Sequence, residues 1–193
     1  LGDTIQTAMS PAADTPLNRP IGPHRRFDWV GFDIDEVKKV KNALGGTVND
    51  VVLATVAGAV GRFLEQRGIS VSRQRGMDFR AFCPVSVRSD DERGAMGNRV
   101  SGMVAKLPIA EAEPRRRLER VRAITRNLKE SKQALGAQVL TSVSEWTAPT
   151  LATMASRLAF ENRTANMIVT NVPGPQIPLY LLGARMVETY PMV

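Results

Sequence analysis

Gly45–Gly68 reads GGTVNDVVLATVAGAVGRFLEQRG. Val48, Val52, Val56, Ala59, Val60 and Phe63 recur at the three-to-four spacing of a helix, and Val51, Leu53 and Leu64 widen that stripe. Ala54, Ala57, Gly58 and Gly61 are small enough to let another backbone approach closely. The spacing predicts a central, buried helix. Its entry is the unusual part, because two polar residues, Asn49 and Asp50, stand where the apolar stripe begins. Thr47 is a good N-cap whose hydroxyl can accept from the Asp50 amide, and Asp50 at the third helical position can reach back as a capping-box acid. Capping accounts for Asp50 and leaves Asn49 without a duty.

Upstream, residues 1–26 read as an interdomain linker, because Pro11, Pro16, Pro20 and Pro23 interrupt any helix. RFDWVGFDI, Arg26–Ile34, is rich in aromatic and β-branched residues and predicts a strand. A short helix follows, capped by Asp33 or Asp35 and stopped by Gly45-Gly46. Downstream, MDFRAFCPVSV (Met77–Val87) sets Phe79, Ala81, Cys83 and Val85 against Arg80 as a strand does, and NRVSGMVAKLP (Asn98–Pro108) predicts another. Pro114 suits a first helical turn, with Leu118, Val121, Ile124 and Leu128 on one face of a helix reaching about Leu135. A further helix is expected from about Ala137 to Phe160, kinked at Pro149. NMIVTNVPGP (Asn166–Pro175) predicts a strand with an abrupt exit, and Leu179–Val193 one or two more. The order β-α-α-β-β-α-α-β-β implies an α/β fold with a mixed β-sheet packed with helices.

Composition sets the outer limits. A chain of 193 residues, 43% hydrophobic and 23% charged, can bury one good core, which excludes wholesale disorder. The net charge of +7 could attract nucleic acid, anionic lipid or a phosphorylated ligand, with arginine concentrated in Pro114–Lys132. At 5% aromatic and with no nucleic-acid motif, nucleic acid ranks last, and none is expected as a partner. The lone Cys83 cannot form an intramolecular disulfide, which fits a reducing, cytoplasmic compartment, and no run of about 18 apolar residues spans a membrane.

Several chemistries have no support. His24 is the only histidine, so a multi-histidine metal site cannot be built from this sequence, and Cys83 has no partner for thiolate zinc. There is no GxGxxG, no GxxxxGK[ST] and no GxSxG. His24, beside Arg25 and Arg26, reads as a surface residue, and Cys83, on an apolar strand face, as a core residue. Asp90, Asp91 and Glu92 are consecutive and point different ways, which argues against a metal site. These residues provide no catalytic group and no metal site.

Three segments carry a resemblance: LGGTVNDVVLATVAGAVGRFL, FCPVSVRSDDERGAMGNRVSGMVAKLP and NVPGPQIPLYLLGARMVETYP. In that order and spacing they resemble the C-terminal half of the bacterial wax ester synthase/diacylglycerol acyltransferase family, over nearly the whole chain. The resemblance implies a chloramphenicol-acetyltransferase-like half from the coenzyme-A-dependent acyltransferase superfamily, with the active site in a tunnel between two such halves. It implies residues 27–193 as an incomplete C-terminal acyltransferase domain. The family's His-His-x-x-x-Asp-Gly motif, whose second histidine is taken as general base, belongs to an N-terminal catalytic half and is absent here.

The implied function is part of an O-acyltransferase that moves a fatty acyl group from acyl-CoA to diacylglycerol or a long-chain alcohol, making triacylglycerol or wax ester. The implied partners are that N-terminal half, acyl-CoA as a substrate, and the acceptor, with no bound cofactor. The expected location is cytoplasmic, with a peripheral position at membrane or lipid inclusions. Asn49 and Asp50 form a motif of the family and become candidates for the tunnel or the interface; orienting the helix and direct substrate contact both stay open for them. Asn171 and Gly174 join them, as either a rigid strand exit or a tunnel-lining loop. The alternative is a non-catalytic module whose basic helix meets a lipid surface or a partner.

Overall fold

The computed structural model describes residues 10–20, 22–71, 77–86, 100–130, 164–175 and 177–190. Asp33 caps the first helix, α1 (Ile34–Leu44), by accepting from the Asp35 amide at 2.7 Å. Gly45 and Gly46, at φ 77° and 100°, turn the chain in a conformation that disfavours side chains bearing Cβ, and α2 (Val48–Gln66) leaves at 98° to α1. A strand pair follows: β1 (Arg80–Ser86) runs antiparallel to β2 (Val100–Lys106), from Arg80 opposite Lys106 to Ser86 opposite Val100. Helix α3 (Pro114–Glu130) then crosses α2. The short β3 (Met167–Ile168) pairs parallel with Ala81 and Phe82, so the sheet is mixed, in the order β2-β1-β3. A separate hairpin joins β4 (Tyr180–Leu181) to β5 (Ala184–Arg185) through Leu182 and Gly183, both at positive φ.

The core is one cluster. Leu53, Ala57, Val60 and Leu64 of α2 meet Phe79, Ala81 and Cys83 on one side and Leu118 and Val121 of α3 on the other. Burying Leu53, Leu64 and Phe79 stabilises the fold by about 1.5–3 kcal/mol each. The small residues on α2 do what their size suggests. Arg117 lies over Gly58, and the Ile109 carbonyl approaches so near Gly61 that an added Cβ would stand 2.3 Å from it.

Pro84 explains why β3 is so short. The carbonyls of Arg80 and Phe82 accept from Asn166 (2.8 Å) and Val169 (2.9 Å), so the even-numbered residues of β1 turn their main-chain polar groups toward β3. Pro84 is next in that series and has no N–H to give, and the parallel ladder ends before it.

Two expectations need correction, and one residue is placed unexpectedly. Arg26–Ile34 forms no strand: residues 27–33 are exposed and carry no regular secondary structure, with no ladder partner among the described residues. Their aromatic character serves a surface cluster instead, in which the Trp29 ring lies 5.9 Å from Phe27 and 5.1 Å from Tyr190. The Asn166–Pro175 strand shrinks to Met167–Ile168, for the reason just given. Arg80 does sit opposite the apolar face of β1 but is 2% exposed, because residues 10–18 cover that side of the sheet.

This covering segment is tightly fixed. Arg80 donates to Ser10 O at 2.8 Å and to the Asp78 carboxylate, while the Asn166 carboxamide donates to Ala13 O and Asn18 Oδ1, both at 2.7 Å. The Ala13 amide reaches Asp78 O at 2.9 Å, and Ala12 and Thr15 are buried. A proline-rich stretch that looks like plain linker is therefore packed on the sheet from Ser10 onward. The helix expected from about Ala137 to Phe160, and the acidic turn at Asp90–Glu92, lie outside the described residues.

Candidate functional site

The α1–α2 corner holds a polar network among the described residues. Its local part follows from sequence: Thr47 Oγ1 accepts from the Asp50 amide at 3.2 Å, and Asp50 Oδ2 accepts from the Thr47 amide at 2.7 Å and from its hydroxyl at 2.8 Å. This is the reciprocal capping box expected of Thr47 and Asp50. The tertiary part comes from α3. The Thr125 hydroxyl donates to Asp50 Oδ1 at 2.7 Å, and Arg122 Nη1 donates to Leu44 O at 2.7 Å, satisfying a carbonyl at the end of α1. The Arg122 side chain crosses Gly45 and Gly46 closely: a Cβ at Gly45 would stand 2.8 Å from Arg122 Nη2, and one at Gly46 3.0 Å from Arg122 Cδ.

Asp50 is 5% exposed, and burial by itself pushes its carboxyl up. The hydrogen bonds from Thr125 and Thr47, with the Lys129 ammonium nearby, outweigh that and hold the carboxyl below the usual carboxylate value. It is an ionised acceptor whose lone pairs are occupied, which suits a structural anchor and leaves little capacity to take a proton. Asn49 differs. It is half-buried, and its carboxamide makes no hydrogen bond among the described residues.

The structure does not join the other two candidates to this corner. Asn171 and Gly174 follow β3 in an exposed segment without regular secondary structure, Gly174 does not use a positive φ, and nothing lies within 4 Å of where its Cβ would be. No hydrogen bond or ion pair among the described residues links Asn49 or Asp50 to Asn171. Two surface clefts, of about 390 and 460 Å³, flank residues 107–112 and include none of the four. Two of their cations are engaged, Arg120 with Glu111 at 3.1 Å and Arg117 with the Ala54 and Glu111 carbonyls.

Cys83 is buried, which pushes its thiol up to about 11 and makes it a core residue that is unreactive as a nucleophile. His24 is exposed beside Arg25. No group of three His, Cys, Asp or Glu side chains able to hold a metal occurs among the described residues. Arg122, Thr125 and Lys129 are the site residues that sequence reasoning missed. Their spacing puts them on one face of α3, yet in a helix this rich in arginine that face reads as solvated.

Comparison with known proteins places the architecture and then the family. A solved structure, "Wax ester synthase/diacylglycerol acyltransferase from Marinobacter aquaeolei VT8", superimposes with a TM-score of 0.53 at 25% identity, over 81% of this chain and 33% of its own. The mixed sheet and its helices are therefore of the chloramphenicol-acetyltransferase-like α/β class. Residues 3–52 match the wax ester synthase/diacylglycerol acyltransferase catalytic domain, and residues 96–193 match the C-terminal domain of the same family. "O-acyltransferase WSD" of Acinetobacter baylyi is 31% identical over 176 residues, 91% of this chain and 37% of that protein. A Mycobacterium tuberculosis H37Rv protein named as a candidate diacylglycerol O-acyltransferase is 32% identical over 196 residues, 99% of this chain and 38% of its own length. The chain belongs to the wax ester synthase/diacylglycerol acyltransferase family, and it spans about two-fifths of the length of these relatives. Asn49 and Asp50 fall in the catalytic-domain match, Asn171 and Gly174 in the C-terminal one.

Proposed function

We propose that this chain is the C-terminal part of an acyl-CoA-dependent O-acyltransferase that transfers a fatty acyl group to diacylglycerol or a long-chain alcohol. The ordered match of both ends of the chain to two domains of one acyltransferase family carries the reading. In the reaction the acceptor oxygen bonds to the thioester carbonyl carbon, the C–S bond breaks, and the hydroxyl proton passes to a base while coenzyme A leaves as thiolate and is then protonated. With His24 the only histidine here, the His-His-x-x-x-Asp-Gly base belongs to the N-terminal half of the enzyme.

This chain contributes a wall of the tunnel, excludes water and helps hold two long apolar substrates together. Its surface suits that part. No residue of α1 is buried, and Trp29, Phe32, Leu181, Leu182 and Val187 are between 63% and 100% exposed, apolar side chains that a partner domain or apolar substrate could cover. Exposed arginines such as Arg115, Arg116 and Arg126 are suited to coenzyme A phosphates. The same cations favour a cytoplasmic enzyme resting at an anionic membrane or lipid-inclusion surface, where its insoluble acceptor is found.

The test is an acyl-transfer assay with this chain alone and with a companion polypeptide bearing the His-His-x-x-x-Asp-Gly motif, offering acyl-CoA with diacylglycerol or hexadecanol. Ester formation and thiol release by the pair, with none by this chain alone, is the expected result. A stable complex of the pair that makes no ester overturns the reading. Salt-sensitive vesicle binding by this chain, with no companion recruited, would favour the lipid-surface alternative.

A further inference from the structure

Large apolar side chains left outside the core gather at two places in the chain. Trp29, Phe32 and Ile34 in the first, and Leu181, Leu182 and Val187 in the second, are each more than half exposed. The two places meet in space, because the Tyr190 ring stands 5.1 Å from Trp29 and 6.2 Å, edge-on, from Phe27. These rings join them into one surface. Its charges are few: residues 27–34 and 177–190 carry Asp28, Asp33, Glu188 and Arg185, three acids against one base.

The second place is a hairpin that its own interactions do not explain. β4 and β5 pair over two residues each, and the Met186 amide donates to Leu179 O at 2.8 Å. No hydrogen bond or ion pair ties residues 177–190 to the rest of the described residues. A two-stranded hairpin left by itself is marginal in water. Its tip adds to this: Leu182 sits at φ 50°, where a bulky side chain is an outlier, and it is fully exposed. Asn-Gly would suit a two-residue turn with both residues at positive φ and would face water readily, whereas Leu-Gly does neither. The leucine makes sense only against something that covers it.

We propose that this surface docks the N-terminal half of the enzyme, with the β4–β5 hairpin reaching into that half and Leu182 as its apolar anchor. Trp29, Phe32 and Ile34 fall within the catalytic-domain match and the hairpin within the C-terminal match, so the surface is built from both. The chain spans about two-fifths of the length of its relatives, which leaves about three-fifths of a family member available to cover it. A membrane of anionic headgroups is the poorer occupant, since it would repel three acids set against one base. The inference rests on the acyltransferase reading, which supplies the N-terminal half.

The experiment follows amide hydrogen exchange in the assembled enzyme, this chain with its N-terminal half, in wild-type and Leu182→Asn forms. In the wild type, residues 179–187 are expected to exchange about 100-fold or more slower than unstructured chain, because a covered hairpin opens only when the halves part. Leu182→Asn then decides by the sign of its effect. In a free hairpin Asn-Gly strengthens the turn and slows exchange; in a docked one it removes an apolar anchor and buries a carboxamide, so exchange should speed about ten-fold or more. Slower or unchanged exchange in the variant overturns the proposal. A wild-type hairpin that exchanges freely in the assembly overturns it too, and slowing of that exchange by phosphatidylglycerol vesicles would give the surface to lipid. Ester formation by the same assembly tests the acyltransferase reading separately: ester with a freely exchanging hairpin defeats the docking alone, and protection without ester defeats the reading alone.

Discussion

The Thr125 hydroxyl donates to Asp50 Oδ1 at 2.7 Å across 75 residues of sequence, and that bond ties the N-terminus of the core helix to the arginine-rich helix packed on it. Asp50 thus serves two masters, its own helix through Thr47 and α3 through Thr125.

Removing the Asp50 carboxylate should cost more than an ordinary cap. Asp50→Ala loses the capping box, typically about 1 kcal/mol, and leaves the buried Thr125 hydroxyl only the neutral Arg122 carbonyl at 3.2 Å in place of a charged acceptor at 2.7 Å, a further ~1–2 kcal/mol. Denaturant unfolding should show a total loss of about 2–3 kcal/mol, and a loss no larger than that of an exposed cap would show that the Thr125 bond contributes nothing.

Acid should loosen the fold through Asp50 and Asp78. Burial raises both carboxyls, but Thr125 and Thr47 around Asp50, and Arg80 and Lys106 around Asp78, pull both below the ordinary value. Because the folded values are depressed, the stability they confer is fully present above the unfolded carboxylate pKa of about 3.9 and drains away as pH falls through the lower folded values. Urea midpoints taken between about pH 7 and pH 2 should drop below about pH 4, and Asp50→Asn should flatten part of that drop.

Gly61→Ala should be disruptive for a reason Gly68→Ala does not share. A Cβ at Gly61 would stand 2.3 Å from the Ile109 carbonyl, a backbone atom that cannot swing aside, so α2 must move off the loop before α3. Overpacking of this kind costs about 1–3 kcal/mol or more. At Gly68 nothing lies within 4 Å, and only its positive φ of 76° resists a side chain. Thermal melts of the two variants should rank Gly61→Ala as the less stable.

Arg80→Met should release residues 10–18 from the sheet. It deletes the donors to Ser10 and leaves the Asp78 carboxylate with only Lys106, 3.7 Å away, which breaks a largely buried pair at a cost of about 3–5 kcal/mol. Limited proteolysis should cut within residues 10–20 in the variant at protease levels the wild type resists.

Cys83 should be silent until the protein unfolds. Its buried thiol, pushed up to about 11, is scarcely ionised near neutral pH, so a thiol reagent should label it at the rate of global opening and faster only in denaturant. Rapid labelling in buffer would mean that the β1 face opens locally.

Local rules account for much of what sequence alone determined here. The capping box of Thr47 and Asp50, the Asp33 cap and the span of α2 with its small residues all follow from short-range spacing, where each residue's neighbours in the chain are its neighbours in space. The family resemblance was legible for the same reason, since it rests on ordered short motifs. Tertiary structure decided the rest. RFDWVGFDI has the side chains of a strand, but a strand needs a ladder partner, and none lies beside it among the described residues. Arg80 looks like the solvent side of β1 and is buried, because a proline-broken segment 70 residues earlier lies down on it. Arg122 and Thr125 carry no mark in a helix of repeated arginines; only the crossing of α3 over the α1–α2 corner turns one into a grip on Leu44 and the other into a partner for Asp50. Capping and periodicity are short-range and can be read along the chain, whereas burial and long-range hydrogen bonds depend on which surfaces the fold brings together.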